Sequence, residues 1–156
     1  MTRFFLILAI ASLLTSCSTT KFREMSVSEI SNVMGQWNYD LLDSEGNKVK
    51  GFFQVDPSSR ENFSVRGQSF LDSGETLGVL NLRGVWTGVM KHGEQPGLYV
   101  LTFSTKENPI FPNSVSKEAQ EGTVILHHQN NMMSGSFKVQ VPKDGPRGTL
   151  VARKHE

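Results

Sequence analysis

The sequence predicts an all-β domain: about eight antiparallel strands in a meander, closed into a small barrel or packed as a β-sandwich, behind a short N-terminal helical turn. Two observations carry that reading. From Gly35 onward apolar residues recur at every second position, the period of a strand with one face on a core and the other in water. Clusters of Gly, Asn, Asp, Ser and Pro interrupt the alternation at intervals close to the roughly 8 to 12 residues expected of hairpin-connected strands.

Taken in order, Ser26 and Glu29 have capping-box spacing, and Val27, Ile30, Val33 and Met34 share one helical face, so a helical turn runs up to Gly35. Gly35 to Asp43 then places Trp37, Tyr39 and Leu41 on one face. The turn Ser44-Glu45-Gly46-Asn47 leads to Val49, Gly51, Phe53 and Val55, closed by Asp56-Pro57. Glu61 to Leu71 holds Phe63, Val65 and Leu71 in phase and ends at Asp72-Ser73-Gly74. From Thr76 to Met90 the phase changes, which predicts a bulge or break near Asn81. Leu98 to Thr105 follows the turn Gly93 to Gly97. A polar insertion, Lys106 to Gly122, precedes three more strands: Thr123 to His128, Met133 to Val141 and Gly148 to Lys154. In the second of these, Met133, Gly135, Phe137, Val139 and Val141 alternate with polar residues and predict a core-facing row. Residues 26–156 form one domain in this reading.

The N-terminus is of another kind. Arg3 precedes the uncharged stretch Phe4 to Leu14, too short for a membrane span of roughly 20 residues and laid out as a secretory signal peptide over residues 1–16. Leu14-Thr15-Ser16-Cys17 resembles the bacterial lipobox. That resemblance implies cleavage before Cys17, lipid transfer to its sulfur and acylation of its new amine, with residues 17–25 as a lipidated tether. Cys17 is the only cysteine, so no internal disulfide competes for it. Several acyl chains anchor a protein stably to a membrane it does not cross. Ser18 stands where an aspartate would direct retention in the inner membrane, so the expected location is the bacterial cell envelope, at the outer membrane where the host has one.

Composition excludes other classes. The chain of 156 residues carries 16 Lys+Arg and 15 Asp+Glu. Removing residues 1–16 takes away Arg3 and leaves the domain formally neutral, without the basic footprint of a nucleic-acid binder.

The helical turn running into Gly35-Gln36-Trp37 resembles the Gly-x-Trp start of the lipocalin and wider calycin barrels. That resemblance implies an eight-stranded barrel whose closed end is plugged by Trp37, with a basic residue of the last strand packed across it, here matched to Arg153. It also implies a small hydrophobic ligand in the lumen, with Tyr39, Phe53, Phe63, Trp86, Tyr99, Phe103 and Phe137 as candidate wall residues. The insertion at 106–122 and the lack of a possible disulfide depart from the family pattern.

Core-phase glycines at 51, 67, 84, 88 and 135 have two readings. They leave a lumen, or they relieve strand coiling and admit large neighbours such as Trp86 or Phe53. A second function therefore stands beside ligand binding: an envelope interaction module contacting its partner through the 106–122 loop, where Ile110 and Phe111 lie between Pro109 and Pro112. Catalysis is not expected. His127 and His128 are adjacent on a strand and face opposite ways, His92-Gly93-Glu94 reads as a turn, and no nucleophile elbow, metal motif or phosphate loop is present. No cofactor or metal is implied.

Overall fold

A computed structural model describes residues 24–72, 80–105 and 119–156, and for residues 71, 72 and 80–83 the backbone alone. The predicted signal peptide, Cys17 and most of the 106–122 insertion, with Ile110 and Phe111, lie outside the described residues.

The architecture is a closed antiparallel barrel in which each strand pairs with the next and the last pairs with the first. The helix α1 (Val27–Val33) precedes β1 (Gly35–Asp43), β2 (Lys48–Pro57), β3 (Asn62–Asp72), β4 (Leu80–His92), β5 (Leu98–Thr105), β6 (Glu121–Gln129), β7 (Met132–Val141) and β8 (Arg147–Lys154). Closure by the β1–β8 ladder, which runs from Trp37 opposite Lys154 to Asp43 opposite Gly148, leaves no free edge.

α1 carries the predicted capping box in full. Ser26 Oγ accepts from the Glu29 N–H, and Glu29 Oε2 accepts from the Ser26 N–H at 2.8 Å. The helix ends where Gly35 takes φ 113°, a left-handed value that favours glycine, and turns the chain into β1. β1 then alternates strictly, with Trp37, Tyr39, Leu41 and Asp43 buried.

The irregularity expected near Asn81 in β4 falls at Arg83, because Ser69 pairs with Gly84 and Phe70 with Leu82. Three details depart from the sequence reading. β6 begins at Glu121, so Glu121 and Gly122 belong to the barrel wall and not to the insertion. Val141, expected in the core row, is 46% exposed. A bulge at Gln140 pairs Glu121 with Val141 and Gly122 with Val139, and that extra residue turns Val141 outward. Met25, at the end of the expected tether, is buried and its N–H donates to the Arg60 carbonyl at 3.1 Å.

The alternation of antiparallel strands gives the barrel two ends. α1, the β2–β3, β4–β5 and β6–β7 turns and the C-terminus gather at one, which the helix covers. The β1–β2 and β7–β8 turns lie at the other, with the C-terminal ends of β3 and β5 and the N-terminal ends of β4 and β6.

Candidate barrel interior and its two ends

At the helical end Trp37 is fully buried. Its indole N–H donates to the Val33 carbonyl at 2.8 Å, so the ring both fills the end of the barrel and ties down the last turn of α1. It stacks on Phe53 with centroids 6.4 Å apart and meets the His128 ring edge-on at 5.7 Å. The basic residue across this ring is Lys154, not Arg153. Lys154 Nζ lies 5.8 Å from the ring centroid and donates to the Ser31 and Asn32 carbonyls at 3.2 and 2.8 Å. A cation there meets both the indole face and the negative end of the helix. Arg153 sits one residue earlier in β8 and so on the outer face, where its side chain is 67% exposed and 3.8 Å from Asp40.

A contact invisible in the sequence docks the other side of α1. His92, predicted as part of a turn, ends β4 fully buried, with Nε2 3.6 Å from Glu29 Oε1 and Nδ1 hydrogen-bonded to the Gly93 carbonyl. Its ring meets Tyr99 edge-on at 5.1 Å. His127 faces solvent while His128 turns inward, as adjacent strand residues must. Burial depresses the His128 pKa, and the nearby Lys154 charge adds to that effect.

From Trp37 a column of rings runs along the barrel. Phe53 lies 5.9 Å from Tyr39 and 6.0 Å from Trp86, and Trp86 lies 6.2 Å from Phe103. In its middle is a small polar cluster: the Tyr39 hydroxyl is 2.5 Å from Ser69 Oγ, accepts from the Trp86 indole N–H at 3.3 Å and lies 3.3 Å from the Gln68 carbonyl. Burial pushes the Tyr39 phenol up to about 12, opposed by its bonds to Ser69 and Trp86. These groups satisfy one another, which is why the cluster is tolerated in an apolar interior.

Above it, toward the non-helical end, is a cavity of about 20 Å³ lined by Tyr39, Leu41, Trp86, Leu101, Phe103, Val124, Phe137 and Leu150. Of the seven candidate wall residues, Tyr39, Trp86, Phe103 and Phe137 reach this cavity, and Phe53 stands beneath them. Phe63 and Tyr99 pack 6.4 Å apart near His92 at the helical end, away from it. Sequence reasoning missed the aliphatic half of the lining; Leu41, Leu101 and Val124 carry the same inward phase, a signal that aromatic content alone overlooks.

The glycines answer the question of the lumen. The Trp86 ring occupies the space beside Gly67, the Tyr39 ring lies 2.5 Å from where a Cβ of Gly51 would be, and Phe103 lies 2.6 Å from that of Gly122. Gly135 lies against the Ile125 backbone. Missing side chains therefore admit rings and close strand crossings; they do not empty the barrel. Among the described residues no group of three or more His, Cys, Asp or Glu is arranged to hold a metal ion.

The sequence matches no protein-family model and no curated protein. Its fold is similar to solved barrels. A redesigned β-barrel aligns with TM-score 0.62 at 14% identity, over 86% of this chain and all of that one. A de novo designed fluorescence-activating β-barrel aligns with TM-score 0.60 at 13% identity, over 83% of this chain and all of the other. A redesigned barrel bound to the small molecule DFHBI aligns with TM-score 0.59 at 11% identity, over 81% and 98% of the two chains. At such identities the likeness establishes the eight-stranded barrel and nothing finer.

Proposed function

We propose that this is a non-enzymatic bacterial lipoprotein, anchored through Cys17 in the cell envelope, at the outer membrane where the host has one, whose barrel takes a small hydrophobic molecule or lipid chain through its non-helical end. The observation that carries the reading is the asymmetry of the interior. α1, Trp37 and Lys154 seal one end, while the cavity at the other is lined by apolar and aromatic side chains. A similar barrel bound to a small molecule supports the same use of the fold.

The size of the cavity sets a condition. At about 20 Å³ it holds roughly one water-sized sphere, against the roughly 300 to 1,000 Å³ of typical ligand sites. Uptake therefore requires the lining rings, Phe103 and Phe137 foremost, to move aside. A second reading follows from the same number and from the rings that fill the glycine niches: a solid barrel that acts through its surface as an envelope interaction module. Native mass spectrometry of the chain from Lys21 onward, mixed with a lipid extract of the host, separates the two. A stoichiometric adduct that disappears in Val124→Phe and in Leu41→Phe makes the protein a hydrophobic-ligand binder. A bare mass across all lipids removes that function and leaves the solid barrel.

A further inference from the structure

We propose that the helical end of the barrel is the face laid against the lipid surface, so that the cavity end faces the aqueous compartment; this rests on the lipid attachment at Cys17 proposed above. The chain enters the fold at that end and is fixed there, with Met25 buried and its N–H bonded to the Arg60 carbonyl in the β2–β3 turn. Only residues 18–24 separate Cys17 from Met25. Fully extended, at ~3.3–3.6 Å per residue, that segment and its two end bonds reach roughly 28 Å. The barrel wall is a large fraction of that height: the nine residues of β1, eight steps of ~3.3 Å inclined by about 40°, rise roughly 20 Å. Setting the cavity end on the membrane would draw the tether out to about seven-tenths of its full reach along the outer wall and cost much of its conformational freedom. Setting the helical end there requires no stretching.

Both ends expose apolar side chains, Leu42 and Val141 at the cavity end among them, but the most exposed of all stands at the helical end. Val27, the first residue of α1, is 84% exposed, Met34 just beyond the helix is 42% exposed and Met132 at the start of β7 is 40% exposed. Arg60, Lys91, Arg153 and Lys154 are balanced there by Glu24, Glu61, Glu94 and Glu156. The barrel face itself therefore offers an apolar contact and not an electrostatic attraction to anionic lipid. A ligand entering the far end is then exchanged with the aqueous compartment or a soluble partner, and is not drawn directly from the bilayer beneath the anchor.

The test uses the full chain, processed in a bacterial host, purified from membranes and reconstituted in phosphatidylcholine vesicles. Val27→Cys and Lys143→Cys, both at exposed positions on opposite ends, are each labelled with a thiol-reactive NBD fluorophore; an acylated Cys17 does not react. Quenching by lipid-borne doxyl groups is expected to remove most of the emission at position 27 and leave position 143 unchanged. Equal quenching at both positions, or quenching at 143 alone, overturns the orientation while leaving the anchor intact. A protein mass without acyl groups overturns the lipoprotein reading and the orientation together, and the mass spectrum tells these failures apart.

Discussion

Gly67 and Trp86 face each other across the β3–β4 ladder, and the indole fills the volume that a side chain at Gly67 would need. Gly67→Ala is therefore expected to destabilise the barrel by about 1–3 kcal/mol, the usual range for overpacking a filled core. In Gly67→Ala/Trp86→Phe the smaller ring accommodates the added methyl, so the losses are expected to be less than additive. Urea denaturation of the two single variants and the double measures this directly. Simple additivity would mean that ring and glycine do not share the space.

Lys154 and Arg153 separate the two candidates for the basic partner of Trp37. Lys154→Ala removes two bonds to the C-terminal carbonyls of α1 and the cation over the indole, and is expected to cost about 1–2 kcal/mol. Arg153→Ala gives up an exposed pair at 3.8 Å and is expected to stay within about 0.5 kcal/mol. The Lys154 change also removes a positive charge near His128, so the His128 pKa, followed by NMR, is expected to rise toward its ordinary value.

The contrast between these two residues shows where the sequence was legible. A period of two locates strands well, and β1 and β5 have the predicted ends because Gly35 and the turn residues punctuate them. Period alone fails wherever one residue is inserted. The bulge at Gln140 reverses the phase beyond it, which is why Val141 faces water. Arg153 and Lys154 differ by one place on β8, and choosing between them needed the phase of β8 against β1: Trp37 pairs with Lys154. The link between Glu29 and His92 joins residues far apart in the chain, and neither residue type nor spacing signals it. The glycines were ambiguous because a missing Cβ is equally the mark of an empty lumen and of a ring lying in its place.

The buried Tyr39 phenol gives the stability a dependence on alkaline pH. Its pKa rises from 10.0 to about 12 on folding, so between those values the folded chain holds the proton more tightly than the unfolded chain. The resulting stabilisation is complete below pH 10 and is lost as pH rises through about 12; two pH units correspond to about 3 kcal/mol. Tyr39→Phe is expected to abolish this slope. At neutral pH the same variant loses about 1–3 kcal/mol, because the Ser69 hydroxyl and the Trp86 N–H lose their shared partner. Unfolding midpoints of both proteins between pH 9 and 12 test the claim, and parallel curves would show that Tyr39 titrates as an exposed phenol.

Trp37 holds the helical end by volume and by one hydrogen bond, and two substitutions separate these contributions. Trp37→Ala empties a fully buried site and is expected to cost about 3–5 kcal/mol. Trp37→Phe keeps a ring against Phe53 but removes the donor to the Val33 carbonyl, and is expected to cost less than the alanine change in global stability. Its larger effect falls on α1. Hydrogen exchange of the Ile30 and Met34 amides, which donate to the Ser26 and Ile30 carbonyls, is expected to accelerate in Trp37→Phe well beyond exchange in β6 and β7. A uniform acceleration would show that the indole supports the whole barrel equally and has no special role in fastening the helix over its end.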